Sequence, residues 1–441
     1  MKNYLKILAI TLFSMNLYAQ QAFTVDQALD YALENNINIK KAKIDQELAK
    51  QKVKETVGIG LPQLSAQGKY NYFLNIPVQL LPGEILGKPG TFVPVKFGQT
   101  HNASGGLTLT QLLFNSSYIV GLESSKAYRE TMDLAKEKTD ISIKEGIMLS
   151  YAAVLVTDEN IKTLEENRKV IEKTLSDTRE TYKVGLIEEQ NVEQLEYSYK
   201  NLVSSINNLK RTKEKLSMTL KYLMGYPLDQ NISLLTSFDE MLEKNKTLVA
   251  KEESIDFSNH IDIRLKNNMV KLNELKLKLQ KSKALPTLAA AVSSSYNGYG
   301  NEFAFFKKEQ QWFNTSVVAL QLDIPIFSGL QRHWQTQQAK LDLQKTQLEK
   351  DDAEKNLKSD YFAKAVDYEN SYDSYKTAQE LINLSSNIYR KQNIKFKEGM
   401  GTSFDLQNSE TQLFQSQTKY YQAAIELIQS KIKLDKAKGT L

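Results

Sequence analysis

Apolar residues recur every seven positions along two long stretches of the chain, and each stretch turns over once at a glycine. Ile147, Val154, Ile161, Leu175 and Tyr182, with Arg168 completing the series, precede a turn at Val184-Gly185-Leu186. Leu195, Leu202, Leu209, Leu216 and Leu223 follow it. Seven residues are two helical turns, so each set forms one seam along a helix. From Asn115 to Val184 there is no proline, and the only interior glycines are Gly121 and Gly146. Such a run predicts an unbroken helix of roughly 105 Å. Gly185 supplies the left-handed residue that ends a helix at little cost. The pattern describes a rod that goes out and comes back.

Elsewhere the period is two. Leu64, Ala66, Gly68, Tyr70 and Tyr72 alternate with Ser65, Gln67, Lys69 and Asn71, and Leu107 and Leu109 with Thr108 and Thr110. Strands are predicted over 64–73 and 104–114, each with one apolar and one polar face. Two more are predicted, over 287–299 and around Val318, Leu320, Leu322, Ile324 and Ile326. Residues 74–103, rich in proline and glycine, read as a long loop. Ahead of the strands, Thr24 and Gln27 make a capping box that opens a short helix. A second helix runs from about Ile39 to Val57.

The chain then starts again. Ile37-Asn38-Ile39 returns as Ile261-Asp262-Ile263, and Leu61-Pro62-Gln63-Leu64 as Leu285-Pro286-Thr287-Leu288, both 224 residues on. At an offset of 214, Tyr361, Tyr368, Tyr375, Ile382, Tyr389 and Phe396 repeat the first seam, and Gly399 repeats Gly185. The leucine seam of the first return helix becomes Ser409, Ser416, Ala423, Ser430 and Ala437. Smaller residues let neighbouring helices approach closely, so the two hairpins are expected to pack differently. A duplication with two periodicities in fixed order is a strong signal.

The expected organisation is a leader over 1–20, N-terminal helices over 21–57, a first β-hairpin over 58–114 and a first helical hairpin over 115–225. A connector follows over 226–260, then a helix over 261–284, a second β-hairpin over 285–327, a second helical hairpin over 328–438 and a tail, 439–441. Lys2 and Lys6 flank the apolar Ile7 to Leu12, and a small-residue cleavage site precedes Gln20, which reads as a secretory signal peptide. With no cysteine, disulfides, cysteine zinc sites and a lipidated N-terminus are excluded. A net charge of +5, with lysine and glutamate interspersed, gives nucleic-acid binding little support. His101, His260 and His333 lack ligand spacing, and no nucleophile, phosphate-loop or metal motif occurs. An enzyme is not expected, nor a cofactor.

Beyond the leader no window is apolar enough for a transmembrane helix. Strands of roughly ten residues, however, have the length to cross an outer membrane tilted. Four cannot close a barrel, and an open edge is not tolerated in lipid. The chain must therefore oligomerise, and three copies would supply twelve strands.

Several features together carry a resemblance. They are the strand starts Leu61-Pro62 and Leu285-Pro286, and the junctions Leu113-Phe114-Asn115 and Pro325-Ile326-Phe327-Ser328-Gly329. The turns at Gly185 and Gly399 and the ending Gly439-Thr440-Leu441 belong to the set. With these, the chain resembles the TolC family of trimeric outer-membrane efflux channels. The resemblance implies a mixed α/β membrane protein in which a homotrimer, surrounded by outer-membrane lipid, forms a twelve-stranded β-barrel and a periplasmic tunnel of coiled-coil hairpins. It implies the exit duct of a tripartite efflux or type I secretion system in the bacterial outer membrane. Its partners would be a periplasmic adaptor (membrane fusion) protein and an inner-membrane pump.

The resemblance also assigns residues. Val184, Gly185, Leu186, Gly399 and Met400 would form the adaptor-docking tip, although any tight turn requires glycine at Gly185 and Gly399. Asp405 and Asn408 match two aspartates that ring the entrance and attract cations; a first-turn Asp405 is also favoured by the helix dipole alone. With Asn408 neutral, a trimer would carry three charges there rather than six. The family's closed-state lock joins an aspartate to an arginine and a tyrosine, where this chain has Asn191, Gly401 and Phe396. The entrance is therefore expected to be held by apolar and steric contacts around Tyr182, Phe396 and Leu406. Two rivals exist: a periplasmic adaptor, which normally carries a single hairpin, and a structural coiled-coil rod, which leaves the strands unexplained.

Overall fold

The computed structural model describes residues 21–87, 89–246 and 255–441. The expected leader lies outside them, as does part of the connector, residues 247–254. The chain divides into two compact units, one of Met1–Gln46, Met132–Asn267 and Glu349–Leu441, the other of Glu47–Thr131 and Asn268–Leu348.

The first unit holds most of two helical hairpins, whose long helices begin in the second. Helix α3 (Ser116–Lys183) returns as α4 (Glu189–Met224), and α7 (Gln331–Lys397) returns as α8 (Ser403–Lys438). Lengths of 68 and 36 residues in one hairpin and 67 and 36 in the other preserve the duplication. Ile147, Val154, Ile161 and Leu175 are buried, as are Tyr361, Tyr368, Tyr375, Leu406, Leu413, Leu427 and Leu434. On α4 the expected seam holds at Leu195 and Leu202, then gives way to Ile206, Leu220 and Met224. A straight helix drifts about 20° per heptad against a strict seven-residue repeat, so residues four positions on rotate into the contact. The small residues of α8 are buried at Ser409, Ala423, Ser430 and Ala437. The Ser409 and Ser430 hydroxyls donate to the carbonyls of Leu406 and Leu427, three residues back. Burying them therefore leaves no polar group unpaired.

The N-terminal helices and the connector complete this unit's core. Helix α1 (Val25–Asn35) begins at the expected capping box, with Thr24 accepting from Gln27 N and Gln27 reaching back to Thr24 N. Asn36 joins it to α2 (Ile37–Ile59) and donates to the Leu223 carbonyl near the end of α4. Three elements were not expected. A short strand β1 (Gln21–Phe23) pairs in parallel with β6 (Ile232–Leu234) in the connector, and helix α5 (Phe238–Asn245) follows. Tyr151, fully buried, donates to the Phe23 carbonyl and accepts from Thr236 N. These segments share one core with Ile147, Leu220, Met224, Leu427 and Ile432.

The second unit holds a four-stranded antiparallel sheet in the order β2 (Gln63–Tyr72), β5 (His101–Asn115), β7 (Thr287–Gly300), β8 (Trp312–Asp323). Helix α6 (Ile261–Ser282) leads into β7. The four predicted strands are all present, with two corrections. The first inter-strand segment is not an irregular loop, because β3 (Val78–Pro82) and β4 (Phe92–Lys96) pair within it as an antiparallel ribbon, and β5 already begins at His101. Ile324 and Ile326 lie past the end of β8, where Pro325, lacking an N–H, cannot extend the ladder.

Candidate functional site

Two regions carry the chemistry suggested by the sequence, each within one unit. The first is the pair of hairpin turns. At Gly185 the amide donates to the Tyr182 carbonyl and Leu186 N to Thr181 O; at Gly399 the same pair runs to Phe396 O and Lys395 O. These are two Schellman closures, with the glycines at φ +76° and +71°. A Cβ built on either glycine meets nothing within 4 Å. The requirement for glycine is conformational, not steric. Around the turns Val184, Leu186, Met400 and Phe404 present apolar side chains to solvent, Leu186 at 75% exposure.

Beside the turns the hairpins pack on each other. Leu175, Leu195 and Leu406 form a buried cluster, flanked by Val192, Tyr199, Tyr389 and Phe396. Leu406 and Phe396 both take part in this cluster. Tyr182, in the last turn of α3, is 40% exposed and lies outside the cluster. Asn191 makes a polar contact of its own with the other hairpin. The buried Ser403 hydroxyl lies 2.5 Å from both Asn191 Oδ1 and Gln194 Oε1, a polar tie between α8 and α4. One hydroxyl proton serves one amide oxygen; the other amide, turned by 180°, donates its NH2 to the same hydroxyl.

Asp405 stands in the first turn of α8, where its amide donates to Thr402 Oγ1 and its carboxylate accepts from the Thr402 hydroxyl. It is exposed, as is Asn408. Glu410, two residues beyond Asn408, escaped the sequence reading and is only 2% exposed. Its signal was available: four residues after Leu406 and three before Leu413, it occupies the packed stripe of α8. Ser403 had no comparable signal.

The second region is the sheet. Register places Leu64, Tyr70 and Tyr72 of β2 on one face with Leu107 and Leu109 of β5, Val292 and Tyr296 of β7, and Val318, Leu320 and Leu322 of β8. All ten side chains are exposed, Val318 at 78%. The opposite face carries Ser65, Gln67 and Lys69 beside Thr108, Thr110, Ser293, Ser295 and Thr315. Strands β2 and β8 are the sheet's two edges, each with one side unpaired. No helix among the described residues is long and apolar enough to cross a membrane.

The sequence profile of the outer membrane efflux protein family matches residues 260–440. No curated protein matches the chain. Among solved structures, CusC, described as forming a transmembrane channel, superposes with a TM-score of 0.76 at 14% identity, over 94% of this chain and 92% of its own. The outer membrane channel CmeC of Campylobacter jejuni gives 0.71 at 16% identity, over 94% and 85%. The outer membrane protein VceC of Vibrio cholerae gives 0.70 at 12% identity, over 94% and 96%.

Proposed function

We infer that this chain, which through residues 260–440 belongs to the outer membrane efflux protein family and over 94% of its length has the fold of solved outer-membrane channels, is an outer-membrane exit duct. The observation that carries this reading is the sheet. It has ten exposed apolar side chains on one face, mainly polar side chains on the other, where Phe313 and Val317 are also exposed, and two open edges. In lipid every strand edge must be paired, so β2 of one copy joins β8 of the next. Three copies close twelve strands with the apolar face toward lipid and the polar face toward water. The helical hairpins then extend into the periplasm.

The exposed apolar turns at Val184, Leu186 and Met400 are the surface on which a periplasmic adaptor docks, and that adaptor links the duct to an inner-membrane pump. The system is of the tripartite efflux or type I secretion class. Asp405 of three copies rings the entrance, where like charges around a narrow axis concentrate cations. The experiment is conductance of the purified protein in planar bilayers. It should form cation-preferring pores, and Asp405→Asn should weaken both that preference and block by multivalent cations. A protein that inserts but never conducts would contradict the reading.

A further inference from the structure

Glu410 is enclosed where the two hairpins meet. Ser198 on α4 stands beside the carboxyl and opposes the effect of burial on it. Oε2 has no hydrogen-bond partner among the described residues. Among the described residues no cation acts on its charge. Tyr389 of α7 presents a phenol whose proton is held more tightly, first by burial and then by Glu410's charge. The adjoining cleft, about 420 Å³, is lined by Leu164 of α3, by Tyr197, Ser198 and Asn201 of α4, and by Lys419 at the far end. Lys419 is nine residues further along α8, roughly 13 Å along the helix axis. On α3, Glu165 is engaged with Arg168 and Lys210, and Asn167 with Gln417. A neutral carboxylic acid fits this site; an ionised one leaves a buried charged oxygen without a hydrogen-bond partner among the described residues.

We propose that Glu410 is a proton-operated latch: neutral, it lets α8 pack closed on α4 and α7, and ionised, it loosens that packing to admit water. Burial pushes its carboxyl up from 4.5 to about 7, against the opposing effect of Ser198. The sign follows. A carboxyl whose pKa is raised in the packed state supports that state fully below about pH 4.5, and the support is lost as pH rises through about 7. As a control of the entrance the latch rests on the exit-duct reading; as a property of hairpin packing it does not.

The test is amide hydrogen exchange over residues 191–202 and 403–417 of the full-length oligomer, from about pH 5 to about pH 8, in wild type, Glu410→Gln and Ser198→Ala. Relative to Glu410→Gln at each pH, wild-type opening should rise by up to about tenfold per pH unit and level off above about pH 7. Equal protection of the two proteins at the acid end shows that Glu410→Gln folds. Ser198→Ala, which removes the hydroxyl that lowers the carboxyl's pKa, should move the midpoint to higher pH. A wild-type profile parallel to that of Glu410→Gln, or an unmoved midpoint in Ser198→Ala, overturns the latch. Bilayer conductance separates the two claims, since a non-conducting protein with the exchange signature intact refutes the duct and leaves the latch standing.

Discussion

Ser403 faces two amides of the other hairpin with a single hydroxyl, and this redundancy sets what mutation should do. Asn191→Ala alone leaves Gln194 in place and should cost under about 1 kcal/mol. Removing both amides strands a buried hydroxyl and should cost about 1–3 kcal/mol, while adding Ser403→Ala to that pair should recover most of it, as read by denaturant unfolding. If the double and single variants are equally stable, the tie is not a real coupling. Gly185 separates backbone from docking in the same way. Its φ is left-handed but its surroundings are empty. Gly185→Ala should therefore cost about 1 kcal/mol and still export, whereas Gly185→Arg should fold and fail to export. Export by Gly185→Arg at normal abundance would remove the turn from the docking surface. Both glycines could be read from the sequence because a left-handed residue has few other solutions. The Ser403 tie could not, because the turns preceding α4 and α8 bring together side chains separated by 212 and 209 residues.

At the level of elements, the sheet's two faces make opposite predictions. Val318→Lys puts an ammonium on the apolar face and should cost about 2–4 kcal/mol at mid-membrane. Thr315→Lys, on the polar face of the same strand, should be tolerated. Recovery of heat-stable oligomer from outer-membrane fractions reads the difference, and equal loss in both would reverse the assignment of faces. The alternation was legible in β2 and in the second half of β8, where Val318, Leu320 and Leu322 share one face; Asn314 and Ser316 interrupt it in the first half. The β3–β4 ribbon was not, since Pro82 and Pro94 within it argue against a central strand and suit only a two-stranded ribbon. Strands β1 and β6, three residues each, are too short for any period to register; tertiary pairing alone creates them. Long periodic helices were the most readable elements, yet the α4 seam still drifted from its leucines.

Considered as a whole molecule, the single chain is incomplete by physical criteria. Its sheet ends in two unpaired edges and exposes ten large apolar side chains on one face, a surface that water does not stabilise and lipid does. Assembly is therefore the claim on which barrel, tunnel, entrance ring and docking tip all depend. The measurement is the protein mass of the folded particle in detergent, by sedimentation or light scattering with the detergent contribution removed. Three chains of 50.2 kDa predict about 150 kDa, together with native helix content by circular dichroism. A monodisperse particle of one chain's mass, with that helix content intact, would contradict the account.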